Sequence, residues 1–317
     1  MGHLNLINKP IPVNTILKVL LPLFPLLMLI ESPANAYPLA ECQPGGCESA
    51  LYKRQTIVVE GPGDVGTGAI VGRKDNTYTF LTSAHVIPAR SKVSEYTIFS
   101  PLNGKRYPLR SISTPLGKKA DISVGSFRVL DGETFNLAVI NSMTCLAKQD
   151  GLEKAWCTRG PGGRMGGYSK PSASITVPIF RYNEFALQDR IPGNKDGYEF
   201  VYEAATFPGM SGAPIFGDTG PQIYSSCAGL YYGLVAIHGK SEGYESNGQL
   251  LGRSGMSLGV PVDLIKDYLF ANAEKFGIPK STDEIKTIIH EQYCTPADSK
   301  ITWPNGQLKI NGKLIYP

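Results

Sequence analysis

Gly209-Met210-Ser211-Gly212-Ala213-Pro214 is the stretch whose chemistry decides what kind of chain this is. A serine hydroxyl attacks a carbonyl only when a base takes its proton, and the resulting oxyanion needs preplaced donors. Glycines on both sides of Ser211 let the backbone turn sharply, present the hydroxyl and aim the amides of Gly209 and Ser211 at one point. A Gly-Ser-Gly turn without chemistry is the plain alternative, and such turns are common. The two differ in whether the rest of the chain supplies a base and a carboxylate to orient it.

A base stands in Thr82-Ser83-Ala84-His85-Val86-Ile87, directly after the β-type run Tyr78–Thr82. Histidine has the right proton affinity for the task, and a strand end is a rigid mount. The chain has four histidines; His3 lies in the leader described below, which leaves His85, His238 and His290. The carboxylate stands in Ala120-Asp121-Ile122-Ser123-Val124. An acid that opens an apolar run is costly to bury unless it is hydrogen-bonded, and an imidazole is a fitting partner. Asp131 competes, but it belongs to a turn-like Asp-Gly-Glu.

Taken together the three segments resemble the trypsin/chymotrypsin superfamily. The order His, Asp, Ser is that family's, and differs from the subtilisin and α/β-hydrolase orders. Gly66-Thr67-Gly68-Ala69-Ile70-Val71 is similar to the strand ahead of the family's histidine, and Leu234-Val235-Ala236-Ile237-His238-Gly239 to the strand lining its specificity pocket. The resemblance covers about residues 55–275 and is nearest to bacterial exported trypsin-like proteases, including those of cyanobacteria and the glutamyl endopeptidases. It implies an all-β chymotrypsin-like double six-stranded β-barrel with a C-terminal helix. It also implies a serine endopeptidase with His85, Asp121 and Ser211 as triad, Gly209 and Ser211 amides as oxyanion hole, polypeptide substrates and no cofactor or metal.

The chain departs from the family's pattern in two places. Met210 stands where vertebrate digestive members carry an Asp that pairs with a freed N-terminus, so activation by that ion pair is not expected. Ser123 stands where many relatives have Ala. The pocket base falls on Ala205-Thr206-Phe207-Pro208, which has no Asp to attract Arg or Lys. Thr206 and His238 match positions at which glutamyl endopeptidases carry Thr and His, which implies a preference for glutamate, then aspartate, before the cleaved bond. Lys240 would add attraction for an acid or face solvent. A protease-fold binding protein without activity is the rival, and intact His, Asp and Ser speak against it. An esterase on another fold would need a helix after its Gly-x-Ser-x-Gly, where this chain has Pro214 and β-type sequence.

Composition agrees with a chain that buries a core: 42% apolar and 18% charged residues, with a formal charge of +4. The basic residues are scattered, so nucleic acid is not an expected partner. Residues 1–36 read as an export leader: Lys9 and Lys18, the apolar stretch Val19–Ile30, then Ala34-Asn35-Ala36. Pro22 and Pro25 make a retained membrane anchor the weaker reading. A secreted or periplasmic location follows, and the six cysteines (Cys42, Cys47, Cys145, Cys157, Cys227, Cys294) then suggest disulfides, with buried free thiols as the alternative.

Short β-type runs separated by turn residues fill the middle of the chain: 56–59, 69–72, 77–82, 122–127, 155–158, 200–204 and 230–238. Asp75-Asn76 reads as a hairpin tip, and Gly160–Gly167, with five glycines and a proline, as a loop or crossover separating two halves near 155–170. After Pro261, Leu264, Ile265, Tyr268 and Leu269 share one face of a helix; a shorter one, 283–291, follows Ser281 and Thr282 as caps. The divisions are therefore an extension at 37–54, the double barrel at 55–280, and a tail at 281–317 with two Asn-Gly turns.

Overall fold

Alternation along the first strands sorts their side chains into two cores. Ile57 and Val59 of β1 (Thr56–Gly61), Ile70 of β2 (Asp64–Lys74), and Tyr78 and Phe80 of β3 (Thr77–Thr82) face one apolar cluster. Ala69, Val71 and Leu81, one residue out of step, face another. That is the period-two signature of a sheet covered on both sides. With β4 (Thr97–Ser100), β5 (Lys105–Ser113) and β6 (Ser123–Arg128) these strands close an antiparallel barrel in the order β1-β2-β3-β6-β5-β4. Phe127 of β6 stacks on Tyr78 at 5.8 Å inside it. The computed structural model describes residues 52–140 (89 and 131 apart), 163–171, 177–218 (186, 191 and 192 apart), 232–241 and 256–281, with short strand and helix pieces elsewhere.

The second body continues with β7 (Gly163–Ser169), β8 (Ile179–Phe185), β9 (Leu187–Arg190), β10 (Phe200–Glu203) and β11 (Pro214–Asp218). A small pair, β12 (Tyr224–Ser225) and β13 (Gly229–Leu230), precedes β14 (Tyr232–Lys240). Another, β15 (Glu245–Ser246) and β16 (Gln249–Leu250), precedes β17 (Met256–Pro261). The long strands form one antiparallel seven-stranded sheet, β8-β7-β11-β14-β17-β10-β9, around Met165, Tyr202, Met210 and Ile215. The protein thus has the all-β, chymotrypsin-like architecture of two such bodies, the first a closed six-stranded barrel. Between them Ala69, Leu81, Ile122 and Val124 pack with Phe216, Leu234, Ile237 and Val260 in one cluster.

One expectation is corrected. Residues 160–167 read as a loop, yet from Gly163 they form β7. The glycines are there for close approach: a Cβ at Gly163 would come within 2.4 Å of the Phe185 ring, and one at Gly167 within 2.6 Å of Ala213 Cβ. Glycine in a strand can mark such contacts, and packing overrides its turn preference.

The chain ends cross over. Tyr52, ahead of β1, packs on Phe216 and Tyr182 of the second body, with ring centroids 4.4 and 5.6 Å apart. After β17 a 3-10 turn leads into α1 (Lys266–Ala271) and α2 (Ala273–Phe276), where Ile265 and Leu269 are buried as the periodicity predicts. Gly277 ends α2 in the left-handed region and its carbonyl accepts the N–H of Arg73 on β2 at 3.0 Å. Ser281 and Glu284 then form a capping box, each side chain taking the other's backbone N–H at 3.1 Å. The tail contains β18 (Ile301–Thr302), β19 (Lys309–Ile310) and β20 (Lys313–Leu314), antiparallel about the two Asn-Gly pairs. The leader, all six cysteines and the run 155–158 lie outside the described residues.

Candidate active site

His85 stands on a turn just after β3, and its neighbours hold that turn from both bodies. Thr82 Oγ1 donates to the Thr67 carbonyl at 2.7 Å, and Ser83 Oγ to the His238 carbonyl on β14 at 2.9 Å. Val86 N–H closes the turn onto Ser83 O at 3.1 Å, and Ile87 is fully buried in the first barrel. Asp121 lies just before β6, between buried Ala120 and Ile122. Its Oδ1 accepts the backbone N–H of His85 at 2.8 Å, and its Oδ2 sits 2.6 Å from His85 Nδ1. The pair is graded in exposure: 36% for the imidazole, 10% for the carboxylate. The competitors Asp131 and His290 lie outside the described residues.

Burial alone would push the Asp121 carboxyl up. Its hydrogen bond to the His85 ring and the charge of that ring, then the Tyr198 hydroxyl and the His85 N–H, outweigh this and hold it below the ordinary carboxylate range. A carboxylate pinned through both oxygens to one histidine fixes the ring's orientation and stabilises it when it takes a proton.

Ser211 occupies a turn that only glycines allow. Gly209 and Gly212 have φ of +95° and +89°. A Cβ on Gly212 would fall 2.0 Å from Thr67 O, and one on Gly209 2.4 Å from Lys170 N. Thr67 of β2 is the staple: its Oγ1 donates to the Gly209 carbonyl at 3.0 Å and accepts the Tyr168 N–H at 2.9 Å. Its own N–H donates to the Ser211 carbonyl at 2.7 Å. Met210 and Gly212 amides go to Phe207 and His238 carbonyls, whereas those of Gly209 and Ser211 have no acceptor among the described residues. The Ser211 hydroxyl donates to the Gly239 carbonyl at 3.4 Å.

Beside the Ser211 turn is a cavity of about 610 Å³ lined by Glu203, Ala204, Ala205, Thr206, Phe207, Ser241 and Ser257. Thr206 Oγ1 is 3.4 Å from Ser257 Oγ. Of the two specificity residues read from the sequence, Thr206 lines this cavity and His238 does not. His238 is 3% exposed and its Nδ1 lies 2.5 Å from the Tyr202 hydroxyl. Burial, then the nearby His85 charge, pushes its ring down to about 3, so it is neutral. Lys240 is not at the cavity either; its Nζ lies 5.5 Å above the Tyr198 ring.

Sequence reasoning missed Tyr198, Tyr202, Ser241, Ser257 and Glu203. Ser257 and Ser241 could have been found from the pairing of the pocket strands. Tyr198, in the turn Asn194-Lys195-Asp196-Gly197-Tyr198, carries no local signal.

No family model matches the chain, and no curated protein does. Among solved structures, Rv3671c of M. tuberculosis, as an inactive-form mutant, is 12% identical with a TM-score of 0.46, covering 73% of this chain and 94% of its own. An inactivated protease paralogue of the scabies mite is 13% identical, TM-score 0.45, covering 72% and 96%. The serine protease of a human pathogenic astrovirus is 16% identical, TM-score 0.38, covering 67% and 91%.

Proposed function

We propose that the protein is an exported serine endopeptidase that cleaves peptide bonds through an acyl-enzyme on Ser211. The observation that carries this is the His85–Asp121 pair, held through both carboxylate oxygens, in a fold that sets a glycine-flanked serine on the facing body. In this reading His85 takes the Ser211 proton as the hydroxyl attacks the scissile carbonyl, then returns it to the leaving amine; water reverses the sequence to release the acid. Asp121 orients the ring and stabilises its cation. The uncommitted Gly209 and Ser211 amides receive the oxyanion. Export is supported by the leader pattern of residues 1–36.

One contact favours the inactive, peptide-binding alternative: Ser211 Oγ is turned to Gly239 O. A fluorophosphonate probe separates the two. Covalent labelling of the wild type, lost in Ser211→Ala and His85→Ala, is expected; their hydrolysis should fall on the order of 10⁶-fold. An unlabelled, folded wild type would overturn the enzyme reading.

Within that function we propose glutamate, then aspartate, before the scissile bond. The Thr206 and Ser241 hydroxyls line the cavity and can donate to a carboxylate, Ser257 Oγ donates to the Ala204 carbonyl at 3.3 Å, and among the described residues no Lys or Arg lines it. His238, buried behind the cavity and neutral, lends it no charge. Glu203 opposes the preference from the solvent-exposed side, where water screens it. Digestion of a peptide library tests this: predominant cleavage after Lys or Arg would assign the pocket to Glu203 instead.

A further inference from the structure

Asp121 serves a second donor. The oxygen that faces His85 Nδ1, Oδ2, also accepts the Tyr198 hydroxyl at 2.5 Å. Tyr198 comes from the other body, between a 3-10 turn (Lys195–Gly197) and β10, and is 1% exposed. Its turn is fastened to the residue it touches: the Asp121 N–H donates to the Asp196 carbonyl at 2.7 Å, and Asn194 Nδ2 to the Tyr198 carbonyl at 2.7 Å. The ring rests against Gly239, where a Cβ would come within 2.1 Å of Tyr198 Cε1. Gly239 is the residue whose carbonyl takes the Ser211 hydroxyl, and Lys240 after it covers the ring.

We propose that Tyr198 is a positioning residue of the triad, its hydroxyl fixing the plane of the Asp121 carboxylate against His85 from the opposite body of the fold. A carboxylate held only by the two His85 groups can rock about its Cβ–Cγ bond; a third donor from a rigid, buried ring removes that freedom. Because the same ring fills the space over Gly239, the orientation of the carboxylate and the position of the pocket strand are set by one side chain. Gly239 is glycine because Tyr198 occupies the volume a side chain there would need. This inference rests on the triad reading above.

Tyr198→Phe keeps the ring and removes the hydroxyl. A positioning role predicts kcat lowered on the order of tenfold to a hundredfold. KM should change less than about twofold, since the ring contacts are kept. In proton NMR the downfield Nδ1–H resonance of His85 should shift and broaden, while the rest of the spectrum stays that of the folded protein. Gly239→Ala is the independent check, because its methyl group must displace the Tyr198 ring; the same loss in kcat and the same change in the resonance are expected. If Tyr198→Phe retains wild-type kcat and an unchanged resonance, or if Gly239→Ala does, the proposal is overturned while fluorophosphonate labelling of the wild type leaves the triad standing. A wild type that is folded but unlabelled overturns the triad reading itself, and this inference with it.

Discussion

Asp121 accepts three hydrogen bonds: a backbone N–H at Oδ1, and an imidazole N–H and a phenol O–H at Oδ2. An amide nitrogen in place of either oxygen would therefore face a donor. Asp121→Asn is expected to lower kcat/KM by about 10⁴, by forcing the wrong tautomer on His85. A loss smaller than about tenfold, measured on a peptide ester, would remove Asp121 from the triad. Three residues of this site were legible in the sequence because each sat in a local pattern: a serine between glycines, a histidine at a strand end, an acid opening an apolar run. Tyr198 was not, because its role is defined only by what lies across the cleft. His238 was legible as a strand histidine, but not as a buried, neutral one bonded to Tyr202.

At the scale of the elements, β2 does more than fill a barrel. Thr67 joins β2, the nucleophile turn and β7 through a side chain that both donates and accepts, and the Thr82 hydroxyl returns to its carbonyl. Thr67→Val keeps the shape and removes the two bonds of the Oγ1, leaving the buried Gly209 carbonyl and Tyr168 N–H without that partner while the bond from Thr82 stays. A loss of about 2–4 kcal/mol in urea unfolding is expected, with slower labelling of Ser211; a loss below about 0.5 kcal/mol would show the turn to be held elsewhere. Of the first barrel, β1, β2, β3 and β6 were legible, β3 to the residue, because their faces alternate and the β2–β3 turn carries Asp75-Asn76; β4 and β5, where Pro108 and charged residues break the apolar pattern, were not. The second body was less so. Its β7 is built from glycines that the Phe185 and Phe180 rings and Ala213 demand, and glycine density reads as a turn until those neighbours are known.

For the whole molecule, His238 and Asp121 respond to acid in separate windows. His238 would take a proton at its ordinary 6.5 in the unfolded chain but only at about 3 when folded. Between those values the unfolded state binds the extra proton, so stability is intact above 6.5 and falls as pH drops toward 3, by roughly 1.4 kcal/mol per pH unit. Asp121 is held below its ordinary 3.8, so its contribution is present above that value and is lost only further into acid. Urea midpoints at pH 7.5 and 4.5 check this: the wild type should lose about 2–3 kcal/mol more between them than His238→Asn. Equal losses would mean that the ring is protonated in the fold. The crossed chain ends act at this scale too. Residues ahead of β1 are seated on the second body, and Gly277, past the last long strand, is bonded back to β2 of the first. A polypeptide emerging in order from a ribosome therefore makes its first barrel early and finishes fastening it last, once residue 277 has been added. A chain cut short at β17 gives the cell's quality control an unlatched barrel with Ile278's seat against Gly72 empty.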